Sequence, residues 1–184
     1  MIILWIFLGL IAVAIIWFIT VFNGIVSLRN RTKEAWSDID VQLKRRHDLI
    51  PNLIETVKGY AKHEKEVFEK VTEARASAIS AKGAKEAAKA ENVLTDALKS
   101  VFAVAENYPT LRASENFQKL QDELTDTENK IEASRRFYNG NVRDFNTKIQ
   151  IFPNSMVAGM TGSKPFELFQ VESAEDKATP EVKF

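Results

Sequence analysis

The chain has 184 residues and a formal net charge of zero, because 25 Lys and Arg residues balance 25 Asp and Glu residues. Nucleic-acid-binding proteins usually present a basic face, so this balance gives no reason to expect DNA or RNA as a partner. Cysteine is absent, which excludes disulfides, thiolate metal sites and a cysteine nucleophile. The chain has few Gly and Pro residues and is rich in Ala, Glu, Lys and Leu, a composition typical of helical proteins.

The N-terminal segment is apolar enough to cross a membrane. The first 28 residues contain no Asp, Glu, Lys, Arg or His, and the run from Ile2 to Phe22 is almost continuously apolar. A bilayer core of about 30 Å needs about 20 such residues in a helix. The alternative is a cleaved signal peptide, since residues 12–14 (Ala-Val-Ala) resemble a cleavage motif, but no basic residue precedes the run and it continues past the motif. We predict an uncleaved transmembrane anchor over residues 1–28, with the lipid bilayer as its partner.

The basic residues that follow the anchor predict its orientation. They are Arg29, Arg31 and Lys33, followed by Lys44, Arg45 and Arg46. Because cytoplasmic flanks of membrane helices carry an excess of Lys and Arg, we expect the remainder of the chain on the cytoplasmic rather than the periplasmic side.

A seven-residue repeat follows the anchor and predicts a long packed helix. One row of the repeat is Trp36, Leu43, Ile50, Val57, Glu64, Val71 and Ala78, and the adjacent row is Ile39, Arg46, Leu53, Tyr60, Val67 and Ala74. The phase of the repeat does not change at Pro51. We therefore predict one helix from near Asn30 to near Gly83 that is kinked, rather than broken, at Pro51.

Two further helices complete an all-α antiparallel bundle with coiled-coil packing over residues 29–153. The second helix ends at residues 107–109 (Asn-Tyr-Pro), and the third begins near Thr110 or Ser114 and ends at residues 152–153 (Phe-Pro). We expect residues 154–171 to form a C-terminal helical segment of two short helices, 154–160 and 164–171. The polar residues 172–184 are expected to be disordered.

The unequal lengths of the predicted helices leave an apolar stripe exposed. The second helix is too short to cover the stripe formed by Trp36, Ile39, Leu43 and Ile50. The covering element is then either the C-terminal segment or another copy of the protein. The second alternative predicts a homo-oligomer.

Sequence motifs for catalysis, cofactors and metals are absent. His47 and His63 are the only histidines, and neither follows a Glu by three residues as helical di-metal sites require. The chain also has no glycine-rich phosphate loop and no serine-nucleophile motif. We therefore predict no catalytic, cofactor-binding or metal-binding residues and no enzymatic activity.

Polar residues on the apolar stripes are the more informative feature. Arg46 and Glu64 lie in the rows of the first helix, and Thr127, Ser134 and Asn141 form a row along the third. One interpretation is that they fix the register of the helices at some cost in stability. The other is a buried polar network that shapes a groove for a partner, in which Arg46, Arg135 or Arg136 faces Asp40, Asp48 or Glu64.

Several stretches resemble the LemA family of bacterial membrane proteins, and the resemblance covers nearly the whole chain up to about residue 171. The matching stretches are residues 22–23 (FN), 35–46 (AWSDIDVQLKRR), 49–60 (LIPNLIETVKGY), 107–109 (NYP), 134–139 (SRRFYN) and 152–153 (FP). Where the family tends to have Tyr-Asn, this chain has Phe22-Asn23 and Phe145-Asn146. The resemblance implies a single-pass protein of the bacterial cell (inner) membrane with a helical domain. The family is largely without an assigned activity, although one branch is associated with magnetosome biogenesis.

Two hypotheses for function follow from these observations. The first is a membrane-anchored, non-catalytic helical scaffold that binds itself or other proteins. The second is an accessory or regulatory subunit of a membrane enzyme such as a protease, which would require a membrane protein partner.

Overall fold

The computed structural model describes residues 1–170, and in these residues it contains six α-helices and no β-strand. The all-α fold class is confirmed. The helices are α1 (Ile2–Lys58), α2 (Lys65–Ser80), α3 (Ala84–Glu106), α4 (Pro109–Arg112), α5 (Glu115–Gln150) and α6 (Asn154–Met160). The predicted disordered tail, residues 172–184, lies outside the described residues.

Helix α1 joins the apolar N-terminal segment to the rest of the protein without interruption. It is the one helix among residues 1–170 that is long and apolar enough to cross a membrane, and no residue of its most apolar window is buried. The boundary that we predict at residue 28 falls within α1, and so does Pro51. The prediction that Pro51 does not break the helix is confirmed.

The prediction that this helix continues to Gly83 is wrong. Helix α1 ends at Lys58, and residues 59–64 form a turn before α2 begins. The turn buries Ala61 completely. The repeat did not reveal it because Val57, before the turn, and Glu64, the last residue of the turn, are still seven residues apart. The seven-residue spacing continues across the break, so the apolar pattern stays in phase.

The chain divides into two compact units. The hairpin unit comprises Val41–Glu132 and residues 167–170. In it, α2 and α3 are joined by residues 81–83 and pack as a helical hairpin. Gly83 adopts a φ of 80°, which favours glycine, directly before α3 begins. The largest fully buried side chains of its core are Ile50, Leu53, Val57, Val71, Leu94, Val101 and Leu111.

The anchor unit comprises Met1–Asp40 and Ala133–Phe166. Its apolar cluster joins α1 to the end of α5 and to α6, and its buried members are Val21, Ile25, Phe145, Ile149, Val157 and Ala158. Trp36 of α1 contacts Tyr138 of α5 with ring centroids 5.3 Å apart. The Oγ1 of Thr32 donates a hydrogen bond to the backbone carbonyl of Asn141 at 3.4 Å. Helix α5 therefore packs along α1 in this unit.

The apolar stripe of α1 is covered within the single chain, which removes the reason for predicting a covering copy. Ile39, Leu43 and Ile50 are all buried. Trp36 is half-buried against α5. The prediction depended on the short second helix alone, whereas α5, with 36 residues, is long enough to pack there.

The second of the two predicted C-terminal helices is also wrong. Residues 154–160 form α6, but residues 164–170 are not helical. The side chain of Asn146 accepts a hydrogen bond from the backbone N–H of Phe166 and donates one to its carbonyl, both at 2.9 Å. These bonds occupy groups that a helix would use. Pro165 further disfavours a helical conformation at Lys164.

Candidate functional site

The most unusual feature of the interior is a cluster of charged side chains in the hairpin unit. Arg46, His47 and Glu91 expose only 4%, 7% and 5% of their surfaces. Arg46 and His47 are consecutive residues of α1, and Glu91 lies on the buried face of α3. Charged side chains are almost never this deeply buried unless they are paired. We refer to Arg46, His47, Glu91, Thr95 and Glu128 as the charged cluster.

The Arg46 guanidinium is the centre of this cluster. Its Nη1 lies 3.2 Å from Oε2 of Glu91 and 3.2 Å from Oε2 of Glu128, whose side chain is half exposed. Its Nη2 donates to Oγ1 of Thr95 at 2.7 Å. The guanidinium therefore connects α1 with both α3 and α5 through charge-assisted hydrogen bonds.

The second oxygen of the buried carboxylate is also occupied. Oε1 of Glu91 lies 2.6 Å from Nε2 of His47. The donor in this contact depends on the tautomer of His47, and an ionised carboxylate would accept the hydrogen bond from Nε2. The backbone carbonyl of His47 accepts a hydrogen bond from Nε of Arg75 at 2.7 Å, which connects α2 to the same region.

This arrangement suits structural pairing better than catalysis. A catalytic His–carboxylate pair needs a nucleophile or a substrate within reach of the free ring nitrogen. Here the hydroxyl of Thr95 accepts from Arg46 and donates to the carbonyl of Glu91 at 2.9 Å. Its single donor is thus used within the protein.

The structure corrects the partners that we predicted for Arg46. Asp40 and Asp48 are exposed, and Glu64 lies half-buried in the turn before α2. Arg135 and Arg136 are exposed on α5. Of the residues in the predicted network, only Arg46 belongs to the charged cluster.

The residues that complete the cluster had a detectable signal in the sequence. Ala84, Glu91, Leu98 and Ala105 form a seven-residue row on α3, and all four are buried. A single acid in an otherwise apolar row indicates a buried carboxylate, which needs a cation or several donors nearby. The row could therefore have been matched with Arg46.

The predicted polar row on α5 satisfies its hydrogen bonds mainly within its own helix. Thr127 is completely buried, and its Oγ1 donates to the carbonyl of Glu123 at 2.7 Å. The amide of Asn141 donates to the carbonyl of Phe137 at 2.9 Å. Ser134 is half-buried. The backbone carbonyl of Asn141, which accepts from Thr32, connects this row to α1.

A groove of about 340 Å³ opens beside the charged cluster. Leu98, Phe102 and Leu124 supply its apolar walls, while Arg46, Thr95, Lys99, Gln121, Thr125, Glu128 and Asn129 supply its polar ones. Apolar walls with a few convergent polar groups are typical of binding sites. This groove of the hairpin unit is the candidate site for binding a partner.

The two histidines do not come together. His47 binds Glu91, whereas His63 is exposed in the turn before α2. In the part of the chain that the structure describes, no three His, Asp or Glu side chains form a group that could hold a metal ion.

Two carboxyl groups outside the cluster have pKa values that are shifted in opposite directions. Partial burial raises the pKa of Asp40, and a hydrogen bond from Trp36 opposes that rise. A hydrogen bond from Lys130 lowers the pKa of Asp126, desolvation opposes it, and the charges of Lys130 and Arg45 lower the pKa further. Asp126 also pairs with Arg45 at 3.4 Å.

An apolar helix that continues into packed helices, with a charged cluster committed to internal contacts, fits a membrane-associated, all-helical protein. A family model gives the particular family: the chain belongs to the LemA family, whose model matches residues 35–184. The resemblance seen in the sequence is thereby confirmed.

Individual relatives match most of this chain at low identity. Magnetosome protein MamQ 2 of Paramagnetospirillum magneticum is 24% identical over 84% of this chain and 66% of its own length. Magnetosome protein MamQ of Magnetospirillum gryphiswaldense is 23% identical over 88% of this chain and 70% of its own length. Protein LemA of Metamycoplasma hominis is 26% identical over 83% and 70%. This chain thus spans about two thirds of the length of the relatives it matches, and none of their names specifies a reaction.

Proposed function

We propose that this protein is a membrane-anchored helical scaffold without catalytic activity, held in the bacterial cell (inner) membrane by α1 with its helical domain in the cytoplasm. The observation that carries the proposal is α1, whose apolar N-terminal part is unburied while its later part forms the core of a helical domain. The basic residues after the apolar run favour the cytoplasmic side. The mutual contacts of Arg46, His47 and Glu91 in the charged cluster favour a structural role over chemistry.

The anchor is tested by placing charges in it. A Leu10→Arg/Ala14→Arg variant puts two guanidinium groups near the centre of the apolar run, each costing about 2.5–3.5 kcal/mol in membrane insertion. We expect the wild-type protein to stay in the membrane fraction after high-salt and alkaline washes, and the variant to be lost from it. Val41→Arg is the matched control, since Val41 is an exposed apolar residue of α1 beyond the apolar run. Wild-type protein released by salt alone would refute the anchor.

The groove of the hairpin unit is the surface that we propose for a protein partner. A Thr125→Trp variant fills the groove from an exposed position and should leave the fold intact. Thr110→Trp, at an exposed position of α4 outside the groove, is its control. We expect proteins that copurify with the wild type from native membranes to be lost with Thr125→Trp and retained with Thr110→Trp. Equal retention by both variants would exclude the groove.

Self-association and the accessory role are distinguished by mass. The buried stripe of α1 does not require a second copy, so a homo-oligomer would form through another surface. After extraction in mild detergent, one homogeneous multimer of this chain supports self-assembly. A foreign subunit in fixed ratio supports the second candidate, an accessory subunit of a membrane enzyme, which the groove favours. A monomer without any companion contradicts both.

A further inference from the structure

Three large apolar side chains are exposed where α5 turns into α6. Phe152, Met156 and Met160 expose 80%, 60% and 76% of their surfaces. Met156 and Met160 are four residues apart in α6 and therefore share one face of that helix, and Phe152 lies in the turn directly before it. Between them, Val157 and Ala158 are buried against the rest of the anchor unit. We refer to Phe152, Met156 and Met160 as the tip residues.

The contacts of α6 with α1 define where the tip residues lie along the anchor. Residues 2–17 of α1 make no contact that buries them, whereas Val21 and Ile25 are buried in the cluster that includes Val157. A helix over residues 2–20 is about 28 Å long, close to the thickness of the hydrocarbon core. Helix α6 therefore packs against α1 at the level where α1 would leave the hydrocarbon.

The charge of this region suits the surface of a bilayer. Residues 145–166 contain Lys148 and Lys164 but no Asp or Glu. The aliphatic Cε of Lys148 lies within 3.8 Å of the position that a Cβ on Gly24 would occupy, so its stem follows α1 near the end of the apolar run. Lys side chains at this depth can extend their ammonium groups to lipid headgroups, and the carboxylates closest in sequence, Asp144 and Glu167, lie at the two ends of this segment.

We propose that the tip residues insert into the interface of the same bilayer that α1 spans, so that the protein contacts the membrane through a surface element as well as through its anchor. The proposal rests on the proposed anchor. A lipid surface is favoured over a protein partner because α6, which carries two of the tip residues, packs against α1, the helix that we propose spans the membrane. Short amphipathic elements bind bilayers in this way by burying apolar side chains at the headgroup boundary. Flexible Met side chains adapt well to such a surface.

The absence of cysteine makes the proposal directly testable. Single-cysteine variants Phe152→Cys, Met156→Cys and Met160→Cys of the full chain are labelled with the fluorophore NBD and reconstituted into vesicles of phosphatidylcholine and phosphatidylglycerol. Nitroxide groups on the lipids, placed either near the headgroup or deep in the acyl chains, then quench labels that contact lipid. Leu10→Cys reports on the anchor. Phe137→Cys is the matched control, because Phe137 is an exposed aromatic residue of the same unit, about 20 Å before the end of α5.

We expect labels at the tip residues to lose most of their emission to shallow nitroxides, the label at residue 10 to be quenched by deep nitroxides, and the label at residue 137 to be unaffected. Quenching at residue 10 without quenching at the tip would overturn this inference and leave the anchor intact. No quenching at residue 10 would refute the anchor itself. Blue-shifted tip emission that lipid nitroxides do not quench would show that protein covers the tip, and would also overturn the inference.

Discussion

The hairpin unit and the anchor unit stabilise their interiors in different ways. The hairpin unit buries a guanidinium, an imidazole and a carboxylate, which connect α1 with α3 and α5, while Arg75 of α2 bonds to the backbone carbonyl of His47. The anchor unit instead combines an apolar cluster with a neutral amide, Asn146, that holds the backbone of Phe166. Buried charges are costly to desolvate and demand one arrangement of partners, whereas apolar contacts tolerate several. The hairpin unit is therefore expected to be the more specifically determined of the two.

The largest effect is expected from removing the centre of the charged cluster. An Arg46→Leu variant leaves the buried carboxylate of Glu91 without its cation, and breaking such a pair costs about 3–5 kcal/mol. We expect this loss in the free energy of unfolding, measured by urea titration of the full chain in detergent micelles. Arg45→Leu is the matched control, because Arg45 is the neighbouring residue and its pair with Asp126 is largely exposed. Exposed pairs contribute about 0–1 kcal/mol.

A double variant separates the charge from the packing. In Arg46→Leu/Glu91→Leu the unpaired carboxylate is also removed, so stability should recover relative to Arg46→Leu alone. If the double variant is no more stable than the single one, the cost lies in the shape of the core rather than in the buried charge. The contrast between the two units would then lose its basis.

The elements of this fold were predictable where a repeat runs through one helix. The ends of α3 and α5 follow from Pro109 and Pro153, because proline disrupts the helical conformation of the preceding residue. The turn at residues 59–64 was not predictable, since its length preserves the phase of the apolar pattern. The coverage of Trp36 by Tyr138 depends on which long helix packs against which, and a periodic pattern within one helix carries no such information.

The charged cluster was half predictable for a similar reason. Arg46 interrupts an apolar row, which indicates a buried cation. Its partner depends on the alignment of α1 with α3, which only the packed structure determines. The acids Asp40, Asp48 and Glu64 are close to Arg46 in sequence but are not in the charged cluster. The actual partner, Glu91, is 45 residues away.

Removal of the Asn146 side-chain amide in the anchor unit should destabilise the protein less than removal of Arg46. Asn146→Ala removes two hydrogen bonds to Phe166 and leaves two backbone groups to find other partners, at a cost of about 1–3 kcal/mol. Asn141→Ala is the control on the same helix, since its side chain bonds only to the carbonyl of Phe137 four residues before it. Faster amide hydrogen exchange at Phe166 in Asn146→Ala, but not in Asn141→Ala, would verify the role. Unchanged exchange in both variants would contradict it.

The smallest expected effects on stability come from one surface carboxyl group in each unit. The two groups change the stability with pH in opposite directions. Asp40 in the anchor unit has a pKa raised above 3.8, so the folded state holds its proton more tightly than the unfolded chain does. Its contribution to stability is present below 3.8 and is lost as the pH rises through the raised pKa. Asp126 in the hairpin unit has a lowered pKa. Its contribution is present above 3.8 and is lost as the pH falls through the lowered pKa.

The free energies of unfolding of the two asparagine variants should therefore differ from that of the wild type in opposite directions at neutral pH. These differences should disappear in acid. We expect Asp40→Asn to be slightly more stable than the wild type near pH 7, within the roughly 0.5 kcal/mol typical of surface substitutions. Its amide oxygen can still accept from Trp36. Asp126→Asn should be slightly less stable near pH 7, because the ion pairs with Lys130 and Arg45 are removed. Unfolding of both variants and the wild type across the acid range measures the differences. Shifts of the same sign in both would show that net charge, rather than the surroundings of each carboxyl, governs the response to pH.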